Sequence, residues 1–287
     1  MNEDPVPTTR SRPRYSVRLL CATIAIICVA LVPVGYFGWK AIISSVCLTI
    51  AGLLLLGGQR ALAATLVVIL TTGQILYIAA DGARGSFLRS DCSSKLKSLT
   101  LAIINYETVH GHLPPAFTSD ASGKALHSWR VLILPFLGET ELYEKIDLQK
   151  PWDHPVNVPL HDQMPEVFCC AAVRYHSRWQ SIGTTTAFVV VVDETTAWSV
   201  DSPPSLNAVT DGTAHTIAIV ESEKHRVHWM CPATPTLDSF VEDLDFDGPH
   251  GHYIVASTLD GMVRLIGDDK TDQQIRPMFT IDKRDAY

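Results

Sequence analysis

Pro249-His250-Gly251-His252-Tyr253-Ile254-Val255-Ala256, followed by Leu259-Asp260-Gly261-Met262-Val263-Arg264-Leu265-Ile266, is the stretch whose reading decides the fold. Two apolar runs joined by Asp260-Gly261 predict antiparallel strands with a tight turn, because glycine accepts positive φ without steric cost. Thr186 to Val192, apolar and β-branched between Gly183 and Asp193, predicts another strand. His215 to Glu221 repeats the pattern after the turn Thr210-Asp211-Gly212-Thr213. With the hairpin over 252–267, these runs make a small antiparallel sheet.

Upstream the rhythm is helical. From Phe87 to Val109, Leu96, Leu99, Leu101, Ile103, Ile104 and Tyr106 recur at helical spacing, with Ser90 or Asp91 as the starting cap. Gly111 followed by Pro114-Pro115 stops this helix. A second helix is predicted over Ser128 to Tyr143, around Pro135. A helix first and strands after is an α+β arrangement, with the helix covering one sheet face.

The chain of 287 residues is 47% hydrophobic, and the excess is N-terminal. Three uncharged runs, 19–39, 41–58 and 61–80, match the roughly 20 residues a helix needs to cross a bilayer. A cleaved signal peptide is the competing reading of the first run and a buried helical hairpin that of the other two, but a second apolar run begins directly after Lys40. A two-helix variant drops 41–58, whose Gly52, Gly57 and Gly58 make it the weakest span. Arg10, Arg12, Arg14 and Arg18 in the basic tail 1–18 place the N-terminus on the cytoplasmic side. Three crossings then put everything after about Asp81 outside the cytoplasm, and an even number would reverse this. Asp81 to Gly85 reads as a polar link to an exterior domain over 87–287, on a bacterial inner membrane with the domain periplasmic.

The net charge of −7, with no basic cluster beyond the tail, argues against nucleic acid as a partner and leaves the bilayer and envelope proteins. Cys92, Cys169, Cys170 and Cys231 lie in the polar region, where an oxidising compartment would pair them. The first candidate is Cys92 with Cys169 or Cys170, against the alternative of simple buried thiols.

Candidate chemistry is sparse. His250 and His252, with His225, His228, Glu221 and Glu223 upstream, form a conceivable zinc or copper set. No H-E-x-x-H or Cys-x-x-Cys pattern spells one, so no metal or cofactor is expected. Asp243-x-Asp245-x-Asp247-Gly248 opens like a calcium loop, but its twelfth position is Ile254 and lacks the bidentate carboxylate. No nucleophile elbow surrounds Ser128 or Ser222, and Asp193-Glu194 and Glu221 with Glu223 are carboxylate pairs of a kind any surface carries. Trp129, Trp152, Trp179, Trp198 and Trp229 are read as core, with Trp152 as a loop anchor.

Ordered blocks then carry a likeness. They run from Cys92-Ser93-Ser94-Lys95-Leu96-Lys97 through Gly111-His112-Leu113-Pro114-Pro115-Ala116 to Ser128-Trp129-Arg130-Val131-Leu132. Pro151-Trp152-Asp153-His154-Pro155, Phe168-Cys169, Thr210-Asp211-Gly212-Thr213, Glu221 and His228-Trp229-Met230 follow, before His250 and Asp260-Gly261 close the series. From Cys92 to about Asp268 the chain resembles the bacterial prepilin-processing-associated H-x9-DG family, domain-of-unknown-function family 1559. The resemblance implies a pilin-like fold of one long helix on a small antiparallel sheet, and no established activity. Its signature positions here are His250, Asp260, Gly261, Trp129, Trp152, Pro114 and Pro115. Family members usually open with a Gly-Phe-Thr-Leu-x-Glu leader on a single hydrophobic helix that runs straight into the globular part. Apolar spans and a linker stand here instead, and Ser93-Ser94, Cys170 and Met262 also depart from the pattern.

The expectation is therefore a membrane-anchored, non-enzymatic exterior domain serving cell-envelope structure or protein interaction. A solute-binding or sensory ectodomain and a metal-dependent enzyme are the alternatives.

Overall fold

The computed structural model describes residues 60–170, 182–200, 202–246, 250 and 252–282, with the side chains of 60–67, 69–71 and 81 also left aside. The chain divides into two compact units, Met1–Ala83 and Arg84–Tyr287. The tail 1–18 and the runs 19–39 and 41–58 lie outside the described residues. Among the described residues, no helix is long and apolar enough to cross a membrane.

The largest departure from expectation is helix α1, Arg60–His110, which runs unbroken for 51 residues. The polar link expected at Asp81 to Gly85 is helical, and Ser90 and Asp91 sit inside the helix rather than capping it. Gly82 and Gly85 each cost only about 1 kcal/mol against alanine, and no proline interrupts the ladder, so propagation from both sides prevails. Asp91 instead pairs with Lys95 one turn on, at 3.0 Å. The helix ends where expected: Gly111 turns the chain with φ +79° and its N–H returns to Glu107 O at 2.7 Å.

Within the second unit, Leu88, Cys92, Leu96, Leu99, Ile103 and Tyr106 form the buried face of α1. Steps of three and four residues keep them in one stripe. Leu101, expected in that face, is 57% exposed on the other side.

The stripe packs on a four-stranded antiparallel sheet of order β4 (Phe188–Val189), β5 (Ile217–Glu221), β7 (Tyr253–Thr258), β8 (Val263–Gly267). Thr100 Oγ1 donates to Ser257 Oγ at 2.7 Å across that contact. The expected strand Thr186–Val192 is divided: β3 (Thr185–Thr186) pairs with β6 (Val227–His228), whereas β4 pairs with β5. Thr186 Oγ1 accepts from Phe188 N–H at 3.0 Å at the step between the two partners. A register shift in β5 lets Ala218 and Ile219 both join the core on the α1 side.

The opposite sheet face is also buried. Val189, Ile217, Val220, Ile254 and Ile266 pack with α4 (Leu237–Glu242), α5 (Asp272–Ile275) and Phe279. The sequence patterns did not reveal these two short helices. Between α1 and β3, a hairpin of β1 (Phe117–Ser119) and β2 (Ala125–Ser128) leads into the segment expected as one helix. That segment is three pieces, α2 (Trp129–Leu132), a 3-10 turn at Leu134–Leu137 and α3 (Thr140–Lys145). Pro135 starts the middle piece and Gly138, at φ +80°, ends it.

The signature hairpin forms as predicted, with a three-residue loop. Gly261 N–H donates to Thr258 O at 2.8 Å and Thr258 N–H to Met262 O at 2.9 Å, a type I turn closed by glycine at φ +83°. Asp260 Oδ1 accepts from Thr258 Oγ1 at 2.6 Å and Met262 N–H at 3.0 Å. Burial alone would raise the Asp260 pKa, but these hydrogen bonds outweigh it and hold the carboxyl below its usual range.

Two substitutions test this frame by chemical denaturation of the full chain. Leu99→Ala should cost about 2–5 kcal/mol, as for other fully buried leucines. Gly261→Val, forced into the left-handed region, should cost about 1–2 kcal/mol, and a neutral result would reject the turn assignment.

Candidate functional site

Four chain segments meet beneath α1. Cys92 comes from its buried stripe, Cys170 from the segment after the 3-10 turn Glu166–Phe168, Glu221 from the end of β5, and His250 from the approach to β7. Their relative exposures are 0%, 2%, 6% and 5%, so a carboxylate and an imidazole sit in the core. One ligand atom from each lies within 4.8 Å of all the others.

The contacts within the group are short. His250 Nε2 is 3.0 Å from Glu221 Oε2 and 3.4 Å from Cys170 Sγ. Cys92 Sγ is 3.8 and 3.9 Å from the two Glu221 oxygens. Cys92 and Cys170 lie at disulfide distance, with Cα atoms 5.5 Å apart. Of the two partners expected for Cys92, the structure thus brings Cys170. Cys169 is buried outside the pair, because its backbone is extended and consecutive side chains there point to opposite sides. Lys95 holds this segment against α1 by donating to Cys169 O at 3.0 Å.

The remaining expected histidines do not join. His252 is exposed and lies 3.7 Å from Asp268. Two residues apart on one strand would share a face, but β7 begins at Tyr253, so His250 and His252 lie before it and strand alternation does not relate them. His225 Nδ1 meets Ser222 Oγ at 2.9 Å and its Nε2 is 3.7 Å from Asp243. That line of serine, histidine and aspartate is not a relay, since its second step exceeds hydrogen-bond reach. Asp245 and Glu223 flank a cavity of about 20 Å3 that also touches Glu221 and His250. Burial raises the Glu223 pKa there, with Arg226 opposing the shift. Asp247 and Gly248 of the calcium-like stretch lie outside the described residues.

The aromatic and proline signature residues lie in or against the core. Trp129 and Trp198 are fully buried with ring centroids 5.3 Å apart, and Trp229 is buried with them. Trp152 is half-buried against the core; its backbone N–H donates to Leu126 O at 2.9 Å and its ring stacks on His161 at 5.3 Å. Asn157, fully buried, ties the same loop by accepting from Asp147 N–H at 2.9 Å. Pro114 is buried and Pro115 half-buried after the helix stop. Trp179 lies outside the described residues. Asp260 and Gly261 sit in the hairpin turn, at the other end of β7 from His250.

The His228 ring lies tilted against both Trp152 and His161, at centroid distances of 4.8 and 4.2 Å, and its Nδ1 accepts from Met230 N–H at 3.2 Å. Burial, reinforced by His161, lowers its pKa to about 4. The folded chain therefore refuses a proton that the unfolded chain accepts near pH 6.5, so stability should fall as pH drops from about 6.5 towards 4. His127 and His225, lowered mainly by burial, act in the same direction. Thermal melts at pH 7.5 and 4.5 should show this fall, and His228→Asn, which keeps an acceptor but no titrating ring, should make it smaller.

A family model described as a protein of unknown function, DUF1559, matches residues 83–236. Cys92, Cys170 and Glu221 lie within the match, and the hairpin lies beyond it. No curated protein and no solved structure matches the chain. With more than half its length covered by that model, the chain belongs to the DUF1559 family of proteins of unknown function.

Proposed function

We propose that this chain is a membrane-anchored, non-enzymatic exterior domain of pilin-like fold that serves cell-envelope structure or protein interaction. The observation that carries the reading is the exposed apolar surface early in α1. Ile75, Leu76, Tyr77 and Ile78 are 67%, 65%, 46% and 53% exposed. Four consecutive residues at about 100° each sweep most of the way round a helix, so this surface is apolar on all sides rather than on one face. Lipid is the environment that suits such a helix, and the uncharged sequence 61–80, half of whose side chains lie outside the described ones, has the length of a span.

The basic residues Arg10, Arg12, Arg14 and Arg18 support an N-terminus in the cytoplasm and an exterior position for the second unit, on a bacterial inner membrane. The continuity of α1 from this apolar stretch into the core-packing stripe supports the pilin-like comparison, in which one helix does both. Burial of Trp129, Trp198 and Trp229 supports a packing role for these rings over solute stacking.

Protease added to spheroplasts expressing the full chain tests this. The second unit should be cut while a cytoplasmic marker survives, and alkaline carbonate should leave the uncut chain in the membrane pellet. Protection of the second unit in intact spheroplasts, or release by carbonate, would reject the placement.

A further inference from the structure

We infer that Cys92, Cys170, Glu221 and His250 form a closed site for one divalent transition-metal ion of the zinc type, occupied when the two cysteines are reduced.

The donor set is the first argument. Two sulfurs, an imidazole nitrogen and a carboxylate oxygen match the borderline-soft preference of zinc, which takes four such ligands in a tetrahedron. Bonds of about 2.0–2.3 Å imply ligand-to-ligand separations of roughly 3.3–3.8 Å in that geometry. The carboxylate, imidazole and sulfur contacts fall at 3.0, 3.4 and 3.8 Å, close to those edges, whereas the two sulfurs lie at disulfide distance and must move apart on reduction to take up theirs. Two thiolates, one carboxylate and a neutral histidine leave a net charge of −1 around a dication, the same as a Cys3His site.

Burial is the second argument. A carboxylate enclosed to 6% exposure needs a compensating positive charge, because its desolvation costs several kcal/mol. Lys95 is engaged by Asp91 and Cys169 O, and no lysine or arginine contacts Glu221 among the described residues. A disulfide between Cys92 and Cys170 would supply no charge and would leave the carboxylate with His250 alone. A bound dication compensates the carboxylate and both thiolates together.

Position is the third argument. The four ligands tie α1, the segment after the 3-10 turn, β5 and the start of β7 to one point, as a structural metal does in a small domain. The cavity beside Glu221 and His250, with Glu223 and Asp245 in its wall, is an acidic approach for a cation. Near-complete burial of all four ligands marks the site as closed and structural rather than one with an open position for substrate. Its metal readouts on reduced protein are independent of the membrane placement, although the exterior compartment proposed above favours pairing of the two cysteines unless the ion holds them as thiolates.

The test uses the full chain purified in detergent with reductant and without chelator. Elemental analysis should find about one zinc per chain. Replacing zinc by cobalt should give the intense near-ultraviolet absorption of a sulfur-bound cobalt ion. Cys92→Ala, Glu221→Gln and His250→Ala should lower metal content at least tenfold, whereas Cys169→Ser and His252→Ala should retain it. Zinc added to stripped, reduced protein should raise its melting temperature by several degrees. The inference is overturned if reduced wild-type protein dialysed against zinc retains less than about a tenth of an equivalent, or if its cobalt form lacks sulfur absorption. Those wild-type readouts hold even where a ligand variant fails to fold. A Cys92–Cys170 disulfide found in protein whose thiols were trapped during isolation from zinc-replete cells would overturn it as well.

Discussion

One contact surface organises the second unit: the stripe of α1 from Leu88 to Tyr106 pressed on the sheet. A helix stripe and a pleated sheet each leave one apolar side in water unless they meet. Their meeting places Cys92 over the end of β5 and Thr100 over β7. Everything else attaches to that pair of layers. The segment from Trp129 to Phe168 adds its rings to the same core, and α4 and α5 close the far side of the sheet.

Polar groups then fix what apolar burial leaves adjustable. Arg130 is fully buried, donates to Phe188 O at 2.6 Å and Ser128 Oγ at 2.8 Å, and lies over the Trp129 ring at 4.9 Å. Burial, which opposes charge, pulls its pKa down to about 9. In the same interior a carboxylate, an imidazole and two sulfurs share one small volume, where each can satisfy the others only at short range.

The parts of this fold legible in the sequence were those written in neighbouring residues. Asp260-Gly261 specifies its turn locally, and Gly111 with Pro114-Pro115 stops α1 as read. The segment Asp81 to Gly85 is helical rather than a linker because polar and glycine residues reduce helix propensity only modestly, and packing and propagation decide the outcome. The short helices had signals that hydrophobic periodicity does not register. Thr236 caps α4 by accepting from Ser239 N–H, and Thr271 with Gln274 makes a capping box for α5. The four-residue cluster is legible only in halves: Glu221 and His250 belong to one conceivable metal set and Cys92 with Cys169 or Cys170 to a separate pair, and no spacing rule joins residues so far apart. The fold keeps Glu221 and His250 of that set, leaves out His252, His225 and His228, and brings the two cysteines to them.

The nine residues between His250 and Asp260 take on a particular meaning once both ends are located. His250 is held in the core at one end of β7, and Asp260 is held by the turn at the other. Between them, Ile254 and Ala256 face the α4 and α5 side, while Val255 faces α1. Strand alternation makes the distance a matter of parity as well as length: one residue more or fewer would send each apolar side chain to the opposite layer while both ends stayed anchored. The interval thus works as a gauge, setting how far and with which face the strand travels from the buried cluster to the turn.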